Sequence, residues 1–182
     1  MTFKFGSMRD GAFAAHAYPD VFAHQTTTGA PRLCVALADG HCDLLTALAR
    51  ELSRPFAILA VIHTSRLGQE GRYQSPSLAL DDVELFLREF GGFLESDARL
   101  DLWIRSAGDQ GLLVYDRHNL IYAYGPLEQI EKLLLERGLS LGEVRTPAPH
   151  SHNYHAAHDA DEERLLRRFE WHRTPLRPED QQ

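Results

Sequence analysis

Four of the ten histidines fall within one short stretch: His150, His152, His155 and His158. Imidazole nitrogen is a common ligand for zinc, and a metal site needs three or four ligands converging at roughly 2 Å. On an extended segment His150 and His152 point the same way, because side chains alternate with a period of two. His155 and His158 share one face if a helix begins early, since residues three apart are neighbours on a helix. Asp159 and Glu162 follow closely and add either oxygen ligands or a general base. The chemistry expected of this stretch is binding of zinc or another divalent metal, and with it metal-dependent hydrolysis. The plainer reading is a polar loop whose histidines cap, hydrogen-bond or face solvent.

The run His150-Ser-His152-Asn-Tyr154-His155 resembles, in histidine spacing, the His-x-His-x-Asp-His segment of metallo-β-lactamase-fold hydrolases. Tyr154 stands where that family has its aspartate. The family also places the segment early, after a strand of a β-rich sandwich, with further ligands downstream. Its activity is therefore not carried over to this chain.

The second candidate is aromatic. Trp103 alternates with Leu102 and Ile104, so it points away from them and shares a face with Asp101 and Arg105. Tyr115, Tyr122 and Tyr124 follow on the next two expected strands, and some of them should meet Trp103 across a sheet. Tryptophan, tyrosine and arginine are enriched where proteins bind partners. Asp101, Trp103, Arg105, Tyr115, Tyr122 and Tyr124 are thus the expected interaction surface. The alternative is that a helix covers this face and the aromatics are core.

Other signals are weak. There is no phosphate-binding glycine loop, no dinucleotide fingerprint and no Gly-x-Ser-x-Gly nucleophile elbow. Cys34 has no feature marking it as reactive. His63 ends a long apolar run, where a pocket for a small molecule would sit if this were a small-molecule binding domain.

These residues need a scaffold. Arg32–Ala38 reads as an apolar strand, and Leu44, Leu45, Leu48 and Leu52 fall at helical spacing before Pro55. Phe56–His63 is a continuous apolar run of strand length, and Arg72–Gln74 a short edge strand. Asp81, Asp82 and Glu84 open a second helix with a wide apolar stripe of Val83, Leu85, Phe86, Leu87, Phe90 and Phe93. Leu100, Leu102 and Ile104 alternate with polar residues and begin a three-strand meander over about 99–124. Gly125-Pro126 starts a third helix that stops at Gly138. Glu143–Arg145 is expected as a short strand, and a last helix begins at Asp159 or Asp161. Residues 1–30 show apolar anchors without a period. The fold class is α+β, a mixed or antiparallel sheet with helices packed on it. One domain is expected over 1–174, with a short C-terminal tail over 175–182 whose residues Glu179–Gln182 are expected to fray.

Composition narrows the function. The net charge is −7, from 26 acidic and 19 basic residues, which opposes phosphate-backbone binding and favours a basic protein partner. No apolar run is long enough to cross a membrane, and none follows Lys4 and Arg9 to make a secretory signal. Two cysteines, Cys34 and Cys42, suit reduced thiols in the cytoplasm. The leading expectation is a cytoplasmic protein-interaction module of inhibitor or immunity type. The alternatives are a metal-dependent hydrolase built on His150–His158 and a small-molecule binding domain.

Overall fold

The structure, a computed structural model, describes residues 2–181. In chain order the elements are β1 (Phe5–Arg9), β2 (Ala12–Ala15), β3 (Val21–Gln25), β4 (Arg32–Ala36), α1 (His41–Arg50), β5 (Phe56–Ile62) and β6 (Gly71–Gln74). They continue with α2 (Leu80–Ser96), β7 (Leu100–Ser106), β8 (Leu112–Tyr115), β9 (Leu120–Tyr124) and α3 (Leu127–Glu136). The last are β10 (Ser140–Leu141), β11 (His150–His152), α4 (Asp159–Arg167) and β12 (His172–Thr174).

Nine strands form one mixed sheet in the order β10-β3-β4-β9-β8-β7-β5-β6-β12. Every ladder in it is antiparallel except β10 with β3. The expected meander, β7-β8-β9, lies at its centre, and β5 pairs all seven of its residues with β7. The helices are segregated to one face, as the α+β reading expects. Leu45 and Leu48 of α1, Phe86 and Phe90 of α2, Ile130 and Leu134 of α3 and Leu165 of α4 share a single core with Ile58, Leu102, Ile104, Leu113 and Ile121 of the sheet. At about 25 cal/mol per Å² of apolar surface removed from water, such side chains dominate the driving force for folding.

Two turns carry the conformations their residue types permit. Asn119 closes the β8–β9 hairpin with φ 62°, and Gly138 ends α3 with φ 88°. At the start of α1 Gly40 occupies the N-cap, and the Cys42 N–H donates to Glu95 Oε1 of α2 at 2.6 Å. A carboxylate from a neighbouring helix thus satisfies a donor that a local cap would otherwise take.

The chain ends depart furthest from the sequence reading. The aperiodic segment 1–30 supplies three strands. β1 and β2 form a hairpin that, with β11, makes a separate three-stranded sheet in the order β11-β1-β2. Phe5 and Tyr18 press this layer onto Cys34, Ala36 and Leu120 on the helix-free face of the main sheet. No strand forms at Glu143–Arg145; β10 and β11 flank it instead. β6 is not an edge strand, because β12 pairs outside it. The described part of the tail is tied to the sheet. Pro178–Gln181 makes a 3-10 turn, and Asp180 forms an ion pair with Arg72 in which both side chains are largely buried.

Candidate functional site

Register decides which aromatics meet. Trp103 lies opposite Val114, Val114 opposite Tyr122, and Tyr122 opposite Cys34, forming one row across β7, β8, β9 and β4. Arg105, Leu112 and Tyr124 form the next row. Alternation puts both rows on the helix-free face. Beside the C-terminal turn this face holds a cleft of about 450 Å³, lined by Arg32, Asp101, Trp103, Asp116, Tyr122, Tyr124 and Glu179 among others. Arg105 shares the face and is exposed, but it does not line the cleft.

Tyr115 corrects the expected surface. It stands opposite Leu102 and Ile121, one residue out of phase with Trp103, and so faces the helices. Only 1% of it is exposed. Its hydroxyl donates to Asn119 Oδ1 at 2.8 Å, and its ring stacks on the buried His41. Burial pushes the Tyr115 hydroxyl well above the ordinary tyrosine range.

The cleft is already partly organised. The Arg32 guanidinium lies 4.1 Å from the Tyr122 ring centroid and donates to the Tyr124 hydroxyl at 2.9 Å. Gln25 Oε1 accepts from Arg32 Nε at 2.8 Å and fixes the side chain along its length. Arg72 approaches the Trp103 ring to 5.8 Å. Burial, then Asp116 and Cys34, raise the Tyr122 hydroxyl pKa, so it stays a neutral donor and acceptor.

Two buried polar atoms on the cleft lining have no hydrogen-bond partner among the described residues: Trp103 Nε1 and Asp101 Oδ1. The other oxygen of Asp101 meets His63 Nε2 at 2.8 Å, while Arg117 Nε lies 3.9 Å from Oδ1. His63 is therefore paired with Asp101 rather than left alone in a pocket at the end of β5. An unsatisfied buried donor or acceptor costs about 1–3 kcal/mol, so an orphan pair beside a cleft marks a place where an incoming group is favoured.

The histidines divide into two sets. His150 and His152 do point the same way from β11, and the β8–β9 hairpin brings His118 to them. One ligand nitrogen from each of His118, His150 and His152 lies within 4.8 Å of the others. Phe5 packs against all three rings, with centroid separations of 5.3–5.8 Å. Burial, followed by His118, Arg117 and His150, lowers the His152 pKa to about 4, so its ring is neutral at ordinary pH.

His155 and His158 do not join this cluster. His155 Nε2 donates to the Phe3 carbonyl at 3.0 Å, and His158 Nδ1 meets Asp161 at 2.8 Å. His155 precedes a 3-10 turn at Ala156–His158 rather than lying on an early helix; its ring meets that of His158 edge-on, with centroids 6.4 Å apart, but neither reaches the cluster. The carboxylates expected as base or ligands are also engaged elsewhere. Glu162 is fully buried and bonds Arg99 and Ser65, while Asp159 bonds Arg99 and Arg66. Arg99 additionally holds Asp97 and the His155 carbonyl, which makes this a structural ion network joining α4 to the start of β7. His118 was legible as a hairpin residue, but nothing in its spacing tied it to residues more than thirty positions away.

Cys34 and Cys42 are buried free thiols. Burial raises the Cys34 pKa to about 11 and that of Cys42 further, so neither is a nucleophile at neutral pH. Among the described residues no helix is long and apolar enough to cross a membrane. Comparison of the chain with protein-family models, with curated proteins and with solved structures yields no match.

Proposed function

We propose that this chain is a protein-interaction module whose cleft receives a basic side chain of its partner. The observation that carries the reading is a pair of buried atoms, Trp103 Nε1 and Asp101 Oδ1, that have no hydrogen-bond partner among the described residues and belong to the lining of an aromatic cleft. Asp101, Asp116 and Glu179 outnumber Arg32 among its charged groups, and the whole chain carries −7. A lysine or arginine entering there meets the carboxylates of Asp101, Asp116 and Glu179 beside the Trp103 and Tyr122 rings, where Arg32 and Arg72 already show that the aromatics accept cations. A backbone carbonyl of the same partner accepts from Trp103 Nε1. The acidic balance and the missing catalytic signatures fit an inhibitor or immunity type of role, in which a basic protein is held rather than altered.

The test is a peptide array in which lysine or arginine is placed within varied neighbours and compared with glutamate and alanine counterparts. The chain is expected to retain basic peptides, with retention falling at least tenfold in Trp103→Ala and in Glu179→Lys. Equal retention of basic and acidic peptides, or full retention by Trp103→Ala, ends the reading.

A further inference from the structure

We propose that His118, His150 and His152 form a three-histidine site for a divalent transition metal of the zinc class. None of the three histidines lines the cleft, and although Asp116 both lines it and supports His118, the proposal does not depend on the cleft reading. Three features set this group apart from a chance cluster of imidazoles.

The first is convergence from two elements distant in sequence. His150 and His152 occupy alternate positions of β11, which is locked to Ser7 and Phe5 of β1 by register. His118 comes from the β8–β9 hairpin, whose loop conformation is fixed by Asp116: its Oδ1 accepts from the His118 and Leu120 N–H groups at 2.9 and 3.0 Å. The ligand nitrogens stand within 4.8 Å of one another. A tetrahedral zinc with bonds of about 2.0–2.1 Å needs them roughly 3.3 Å apart, which a slight closing of the rings supplies.

The second is the bonding of the Nδ1 atoms of His118 and His150. His118 Nδ1 donates to Asp116 Oδ2 at 2.9 Å, and His150 Nδ1 donates to the Pro147 carbonyl at 2.9 Å. Both bonds fix the tautomer in which Nε2 carries the lone pair. Metal-bound histidines characteristically donate their other N–H to a carboxylate or a backbone carbonyl, and both kinds of partner occur here. Third, His152 Nε2 is buried and has no hydrogen-bond partner among the described residues. A metal ion satisfies that atom.

Three imidazoles suit zinc, copper, nickel or iron better than magnesium or calcium, which prefer oxygen. Three protein ligands also leave zinc at least one further position for water or another ligand.

The experiment is titration of tag-free protein, purified without a metal-affinity step and stripped with chelator, with zinc chloride followed by calorimetry. One equivalent is expected to bind. His150→Gln, a change at an exposed residue that leaves the fold intact, is expected to weaken binding at least tenfold. Asp116→Asn is expected to weaken it by about 10–100-fold, the usual effect of losing such a supporting partner. His24→Gln, at an exposed histidine outside the cluster, is the control and should bind like wild type. Cobalt added in place of zinc should give the intense visible absorption of a tetrahedral site, and His150→Gln should abolish it. Absence of stoichiometric zinc binding by the wild type overturns the proposal, as does undiminished binding by His150→Gln.

Discussion

The Nζ of Lys4 lies 3.6 Å from the centroid of the Tyr115 ring, and both residues are almost wholly buried. Burial lowers the lysine's pKa from 10.5 to about 8, against the pull of Asp116 and Asp101. Because the folded value is the lower one, the unfolded chain binds more protons between these limits. The desolvation cost is complete below about pH 8 and is relieved as pH rises towards 10.5, so Lys4 makes stability increase over that window. Lys4→Met keeps the stem and removes the charge. It is expected to raise stability at pH 7 by about 1–3 kcal/mol, measured by urea unfolding, and to flatten the alkaline rise.

His41 gives the opposite end of the pH range. It is buried, stacked on Tyr115, and its Nε2 donates to the Asn119 carbonyl at 3.1 Å. Burial, then Lys4, lowers its pKa from 6.5 to about 4. Above pH 6.5 the ring is neutral in both states and contributes no penalty. As pH falls from 6.5 towards 4 the unfolded chain takes up the proton first, and stability drops by up to about 3 kcal/mol. His41→Gln retains an N–H donor without the titration. Over this range its stability should decline less steeply than that of wild type, a difference visible in melting temperatures at pH 7 and pH 5.

Arg99 is buried among carboxylates, with Asp97 and Glu162 both at 0% side-chain exposure. Removing one member of such a network leaves the others charged and unpaired. Arg99→Met is expected to cost about 3–5 kcal/mol, or to prevent folding at 37 °C. Arg66, whose bond to Asp159 is exposed, is the contrast: Arg66→Ala should cost less than about 1 kcal/mol. Denaturant midpoints for the two variants measure the difference.

Gly125 joins β9 to α3 with φ +111°, and a Cβ there would lie 2.8 Å from Gly111 Cα. Gly138 also has a positive φ, +88°, but faces open space. Both alanine substitutions strain the backbone, and only Gly125→Ala also drives two backbone segments apart. Gly138→Ala is expected to cost about 1 kcal/mol and Gly125→Ala distinctly more, by thermal unfolding.

Much of the central architecture was legible because its residues obey one periodicity at a time. Leu100, Leu102 and Ile104 alternate cleanly, Leu44, Leu45 and Leu48 keep helical spacing, and the structure honours both. The same alternation could have excluded Tyr115 from the aromatic face once the β7–β8 register was known, but register depends on a turn whose length the sequence leaves open. β1 and β2 were hidden because a half-exposed hairpin needs few apolar residues, and β11 because three residues give no period. The histidine site was half visible for a related reason. His150 and His152 share one strand, whereas His118 reaches them only through the pairing of β11 with β1 and the packing of Phe5 beneath all three rings.

That pairing of β11 with β1 also governs when the molecule can be completed. β1 can form its hairpin with β2 locally, but its other edge pairs with His150–His152, far along the chain. Contacts so distant in sequence form late, because a long loop must close before they reward the chain. The nine-stranded sheet does not contain β1, β2 or β11 and needs none of these pairings. The small sheet therefore closes a circle between segments distant in sequence, with three imidazoles at its clasp.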